Sequence, residues 1–247
     1  MKLLALFLFL LLISTGQAGA QQVDLSTLLP QGDPTVAGRI IQYVALITVL
    51  SIAPGLLIMV TSFTRIVIAF SFLRSGLGLQ STPANLVMVS LALFLTFFIM
   101  APVFQKAKTE GLDPYMASQI SEKEAYGRIT APFRAFMLKN VREKDLAMFE
   151  QLAKDRNIAV QDEGEVDLRI LVPAFMISEL RRGFEIGFLI ALPFLVIDLI
   201  VAMLTMSMGM MMLPPTVISL PFKVLFFVLI DGWSLLAGSL VASFIVP

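Results

Sequence analysis

Asp198, Lys223 and Asp231 are ionisable residues set in otherwise apolar runs, and they are the first candidates for chemistry in this chain of 247 residues. A charge in such a run is costly unless it is paired and hydrogen-bonded. Two aspartates on neighbouring apolar helices could share one proton, as in an intramembrane aspartyl protease. Spacing argues against that chemistry. Measured from the middle of the expected hairpin tip, near Met211, Asp198 lies about 13 residues before and Asp231 about 20 beyond. An antiparallel hairpin therefore offsets the two carboxylates by roughly 10 Å at the helical rise. Lys223, about 12 residues beyond the same point, falls almost level with Asp198. The expectation is an Asp198–Lys223 pair, within one subunit or across a subunit boundary, and a pair that only sets helix register fits the spacing equally well. Arg65 is a further charge that must pair, snorkel or face protein. Glu185 and Asp231 complete the set placed at membrane or interface positions.

The residue inventory excludes much else. No histidine is present, which removes histidine acid–base catalysis and most zinc and haem sites. No cysteine is present, which removes disulfides and thiolate chemistry. No glycine-rich phosphate loop occurs, so an ATPase motor is not expected. The net charge of zero gives no general attraction to nucleic acid. The chain is expected to be a non-enzyme with no catalytic residues, no metal and no cofactor.

The other distinctive chemistry is soft. Met203, Met206, Met208, Met210, Met211 and Met212 crowd into ten residues. Gly209 loosens the first helix here, and Pro214-Pro215 is expected to end it. Methionine is unbranched and polarizable, so it fills gaps whose shape changes. A ring of such tips could close a pore as a deformable gasket; filling a helix–helix core is the plainer use of the same residues.

The elements that must position these residues follow from the apolar runs. At 57% hydrophobic the chain exceeds an ordinary soluble domain, and membrane or membrane-like burial is expected. Residues 1–20 read as a cleaved signal peptide, with Lys2, the apolar run Leu3–Ile13 and an Ala18-Gly19-Ala20 site. Its apolar run is well short of the roughly 20 residues a span needs. Residues 21–38 read as an irregular leader. Ile40–Phe72 is the first long apolar run, expected to break or kink at Pro54-Gly55, followed by a loop over Ser71–Thr82. Thr82-Pro83 reads as a helix start, opening the run Asn85–Phe104. Of the 18 basic and 18 acidic residues, 13 of each lie in Gln105–Arg182, which is therefore a water-facing insertion. Asp113-Pro114 and the capping box Ser121-x-x-Glu124 start helices there. Leu146, Phe149, Leu152 and Ala153 keep helical spacing, and Gln161–Asp167 reads as an acidic loop. Ala174–Met208 reads as one helix of roughly 50 Å, kinked at Pro193, and Val217–Val246 as the returning apolar arm.

A single mature domain, residues 21–247, is expected: an all-α membrane or membrane-complex protein of two long helical hairpins (40–104 and 174–247, the second tipped by 203–215). Between them stands a mainly helical periplasmic insertion, residues 105–182. The signal peptide puts the mature N-terminus outside, Arg74 and the methionine tip toward the cytoplasm, and the C-terminus outside. Long loops translocate largely regardless of charge, so the basic residues of the insertion are compatible with this orientation.

Four segments carry a family resemblance: TSFTRIVIAFSFLR (Thr61–Arg74), LALFLTFFIMAPVF (Leu91–Phe104), FEIGFLIALPFLVIDLIVAMLTMSMGMMMLPP (Phe184–Pro215) and SLPFKVLFFVLIDGW (Ser219–Trp233). The chain resembles the FliP family of flagellar type III export proteins over essentially its whole length, and shares the lysine-to-Asp-Gly-Trp segment with the related SctR proteins of virulence secretion. The resemblance implies a subunit of the export gate in the basal body. Family members assemble in several copies with FliQ and FliR inside the MS ring. FlhA and FlhB adjoin the complex, FliO assists assembly, and unfolded rod, hook and filament subunits pass through. It also implies that Met210, Met211 and Met212, backed by Met208 and Met206, form the gasket. Helices of this family can be raised out of the bilayer within the assembly. Alternatives are a solute or ion transporter of the inner membrane, which needs polar groups along its pathway, and a scaffold without a gating role.

Overall fold

A computed structural model describes residues 36–79, 83–157, 160–162, 165–209 and 214–245. The signal peptide, most of the leader, Thr82 and Met210, Met211 and Met212 lie outside the described residues. The chain divides into two units, Met1–Ser51 and Ile52–Pro247.

In the first unit the described residues are helical. Helix α1 (Val36–Met59) begins there and runs on into the second unit. Thr48 and Ser51 turn their hydroxyls back onto the carbonyls of Val44 and Ile47, each at 2.7 Å. Ile41, Val44, Ile47 and Leu50 are exposed.

In the second unit α1 is uninterrupted at Pro54 and Gly55, so the expected break into two segments is not there. It falls at 60–62 instead. Thr61 Oγ1 donates to the Ile58 carbonyl and accepts from Phe63 N–H, and this side-chain competition for backbone groups interrupts the helix. Helix α2 (Phe63–Leu77) then extends seven residues into the stretch expected to be a loop. It stops at Gly78, whose φ of 76° is left-handed and cheap only for glycine.

Helix α3 (Asn85–Lys106) starts with Ala84, not Thr82, at its N-cap. It does not end where charge begins. A π-helical turn (Ala107–Leu112) and a short helix α4 (Asp113–Met116) prolong it to 32 residues. Helix α5 (Glu122–Asn140) is capped by Ser121, whose hydroxyl accepts from Glu124 N–H at 3.3 Å. Helix α6 (Glu143–Asp155) follows. Ala153 is buried, but Leu152 is exposed, so the periodicity of this helix exceeds the surface available to cover it. The acidic stretch is a ribbon rather than a loop: strands β1 (Gln161–Asp162) and β2 (Glu165–Val166) pair antiparallel.

Helix α7 (Leu168–Ser207) has 40 residues and starts six residues before the expected position. Asp167 caps it, accepting from Arg169 N–H at 2.7 Å. The Arg169 guanidinium holds the Asp167 carboxyl below the usual aspartate range. Helices α8 (Pro215–Leu229) and α9 (Gly232–Ile245) replace the single returning arm; the chain bends by 63° between them. Asp231 at the bend has a φ of 50°. A Cβ on Gly232 would lie 2.2 Å from the Phe227 ring, so any larger residue there must push that ring aside. Trp233 instead sets its ring edge-on to Phe227, with centroids 5.3 Å apart.

Two helices are long and apolar enough to cross a membrane, Asn85–Met116 and Leu168–Ser207, and the bent pair α8–α9 could supply a third. Apart from the ribbon, the regular elements among the described residues are helical, and the chain has the make-up of an all-α membrane protein.

The main core joins α2 to α3, α7, α8 and α9 through Ile66, Phe70, Ala92, Phe194, Phe227 and Leu240. A second cluster, Met137, Leu171 and Phe175, fixes α5 to α7. Helices α2 and α7 run parallel, since their contacts advance in the same order: Arg65 with Glu179, Ile68 with Gly183, Phe72 with Gly187. A Cβ on Gly187 would lie 2.8 Å from the Phe72 Cβ, too close to be relieved by a rotamer change alone. Gly187→Leu is expected to cost about 1–3 kcal/mol, read as an earlier thermal transition in the fluorescence of Trp233. Gly238→Ala, with open space around it, should leave the transition in place. Equal melting of wild type and Gly187→Leu would refute the close approach.

Candidate functional site: two buried charge clusters and a methionine-bearing helix end

The first cluster sits between α7 and α8. These helices run antiparallel, since Phe194 meets Phe226 while Asp198, one turn on, meets Lys223 and Ser219. Lys223 Nζ lies 2.5 Å from Asp198 Oδ2. Ser219 is four residues before Lys223, on the same face of α8, and its hydroxyl donates to Asp198 Oδ1 at 2.5 Å. Lys223 Nζ also donates to the Gly76 carbonyl at 3.0 Å, near the C-terminus of α2. An ammonium there satisfies an end carbonyl and complements the helix dipole. Lys223 is buried, whereas the Asp198 side chain retains 28% exposure. The cluster therefore ties three helices together with every charge engaged.

The second cluster is deeper. Arg65 on α2 and Glu179 on α7 are 1% and 0% exposed. They form a bidentate pair, Nε to Oε2 at 2.9 Å and Nη2 to Oε1 at 2.5 Å. Arg65 Nη1 donates to the carbonyl and hydroxyl of Ser243 on α9, at 3.0 and 2.9 Å. The guanidinium lies 3.6 Å from the centroid of the Phe244 ring. Neither Glu179 nor Ser243 stands out by local pattern. Glu179 sits among Arg181, Arg182 and Glu185 and reads as one more surface charge. Its signal was the four-residue spacing Glu179, Gly183, Gly187, a stripe that lets a neighbouring helix approach.

Glu185 belongs to neither cluster. It is exposed and pairs with Arg181 on its own helix at 2.8 Å. Asp231 is exposed at the α8–α9 bend. It accepts Leu235 N–H at its backbone carbonyl, 3.1 Å away, and is not brought to Asp198.

Beyond the Asp198 cluster, α7 runs to Ser207. Met203, Met206 and Met208 are exposed, while Thr205 is buried and turns its hydroxyl back to the helix carbonyls. The expected stop at Pro214-Pro215 is not where α7 ends. Gly209, with a φ of 73°, takes the left-handed turn just after Met208. Pro214 is instead the N-cap of α8 and Pro215 its first residue, where a missing N–H costs nothing. The chain between them carries Met210, Met211 and Met212, outside the described residues.

Known proteins resemble this chain closely. Flagellar biosynthetic protein FliP of Rhizobium meliloti (strain 1021) is 60% identical over 241 residues, 98% of either chain. The protein of the same name from Bacillus subtilis (strain 168) is 53% identical over 213 residues, 86% of this chain and 95% of the relative. That of Aquifex aeolicus (strain VF5) is 42% identical over 237 residues, 96% of this chain and 98% of the relative. The sequence pattern of the FliP family matches residues 46–240, a range that holds the charged residues Arg65, Glu179, Asp198 and Lys223 and the methionine-bearing helix end. On that match and these identities, the chain belongs to the FliP family.

Proposed function

We propose that this chain is a pore-forming subunit of the flagellar type III export gate, passing unfolded rod, hook and filament subunits. In this reading it sits in the bacterial inner membrane at the basal body, inside the MS ring, with its charged insertion on the periplasmic side. It assembles in several copies with FliQ and FliR beside FlhA and FlhB, with FliO in assembly. It is a conduit rather than a catalyst. The two helical hairpins, 40–104 and 174–247, form its arms, and Met210, Met211 and Met212, backed by Met206 and Met208, seal the closed channel.

The observation that carries this reading is the exposure of Met206 and Met208 at the end of a 40-residue apolar helix, past the clamp of Asp198 and Lys223. Methionines that filled this chain's own core would be covered. A transporter reading has less support, because Arg65, Glu179 and Lys223 are engaged within the subunit and do not line a polar path.

The test is ion leakage through the gate in cells carrying Met210, Met211 and Met212 changed together to alanine, with assembly verified in the same cells. A leak with intact assembly is the expected result. Unchanged leakage, assembly and export would sink the seal and move it to another subunit.

A further inference from the structure

A groove of about 520 Å³ opens between α3, α5 and α9. Its walls are apolar, built from Phe98 and Pro102 of α3, Pro132 and Phe136 of α5, and Phe244 of α9. Its floor is held in shape: the Phe244 ring is stacked at 20° against Phe136, centroids 6.0 Å apart, and faces the Arg65 guanidinium. Two lysines also border it, Lys106 in the last turn of α3 and Lys139 in the last turn of α5. Both are exposed, neither ammonium group has an ion pair or hydrogen bond among the described residues, and no acidic residue borders the groove. The apolar run of α3 ends at Phe104, so Lys106 stands where a membrane-crossing helix would leave hydrocarbon for headgroups. Phe94 and Phe97, on the open surface of α3, extend the apolar character toward that hydrocarbon.

We propose that this groove holds an anionic phospholipid, an acyl chain lying along Phe98, Pro102 and Phe244 and the phosphate at the Lys106 and Lys139 ammonium groups. A preformed apolar slot with two unneutralised cations at its border fits a ligand with an apolar tail and an anionic head. An apolar peptide would leave both ammonium groups unmatched. Each lysine near an anionic headgroup adds a separate favourable contact. The inference rests on the membrane placement of α3, not on the export role. Its failure shows in lipid retention, whereas failure of the export reading shows in leakage and export.

The test uses the full chain within its assembled complex, purified in detergent and supplied with phosphatidylglycerol or phosphatidylcholine of the same chain length. Native mass spectrometry counts the lipids retained. The expected result is preferential retention of phosphatidylglycerol, reduced about tenfold in the variant K106Q/K139Q. Ala135→Phe, which narrows the groove and keeps both lysines, should lower retention of either lipid. Equal retention by K106Q/K139Q would overturn the site. So would full displacement by millimolar inorganic phosphate with no effect of Ala135→Phe, which marks a free-anion site. A photo-crosslinker at position 135 in otherwise unaltered protein covers the case of variants that fail to assemble. A lipid adduct supports the proposal, and an adduct only with a neighbouring protein chain means a subunit fills the groove and refutes it.

Discussion

Glu179→Ala is expected to lower the stability of the chain by about 3–5 kcal/mol, because it strands a buried guanidinium without its counter-ion. Native stabilities are themselves only about 5–15 kcal/mol, so the loss takes a large share of the whole. Arg65 is 1% exposed, and its remaining partners, the carbonyl and hydroxyl of Ser243, carry no net charge. Water cannot replace the carboxylate without opening the contact of α2 with α7. The variant should therefore accumulate poorly in membranes and lose its Trp233 transition, since Trp233 packs on Phe70 of the same core. The companion experiment separates the charge from the space it fills. A double variant, Arg65→Met with Glu179→Leu, removes both charges at similar volume and should recover most of the lost stability. Ser243 keeps an acceptor for its hydroxyl, the Leu240 carbonyl at 2.7 Å, so the double change leaves no new orphan donor there. A Glu179→Ala chain that accumulates and melts like wild type would show that the pair is not a structural requirement.

Asp198→Lys carries the second large expectation. It sets two ammonium groups against each other and takes the acceptor from Ser219. The cost should be smaller than at Glu179, because the Asp198 side chain retains 28% exposure and solvent screens part of the repulsion. The clamp stands between the core and the methionine-bearing helix end, so assembly should suffer more than membrane accumulation. A fall of roughly tenfold in assembled complexes is expected, from about 1.4 kcal/mol or more of lost pairing. Reversing both charges, Asp198→Lys with Lys223→Asp, should restore assembly only in part. The pair returns, but a carboxylate at 223 has no proton for the Gly76 carbonyl, which Lys223 Nζ now satisfies at 3.0 Å. Full assembly of the single variant would remove the clamp from consideration. Full recovery by the double variant would show that the bond to Gly76 contributes little.

Much of this arrangement was legible in the amino-acid sequence, for local reasons. Apolar runs of span length dictate helices, because an apolar segment must satisfy its own backbone groups. Ser121 declares itself as a cap through its side-chain oxygen and the glutamate three residues on. Asp198 and Lys223 declare a common depth by their near-equal distance from the methionine stretch. Composition alone removes histidine and thiol chemistry.

What the sequence did not determine depends on which surfaces meet. Pro54 and Gly55 look like a break but lie within a continuous helix, and the interruption falls at Thr61, whose hydroxyl competes for backbone groups. The bend before Gly232 follows from where the Phe227 ring lies against the returning chain. Arg65 announces that it needs a partner, since an isolated charge in an apolar run is poorly solvated. Its partner is 114 residues away, in a stretch where four charged residues look alike. Only the parallel packing of α2 on the Glu179–Gly183–Gly187 stripe buries Glu179 while leaving Glu185 in an exposed pair. The need for a counter-ion is a property of one side chain and its immediate neighbours along the chain, whereas the choice of counter-ion belongs to the contact between two helices, which exists only once the chain has folded.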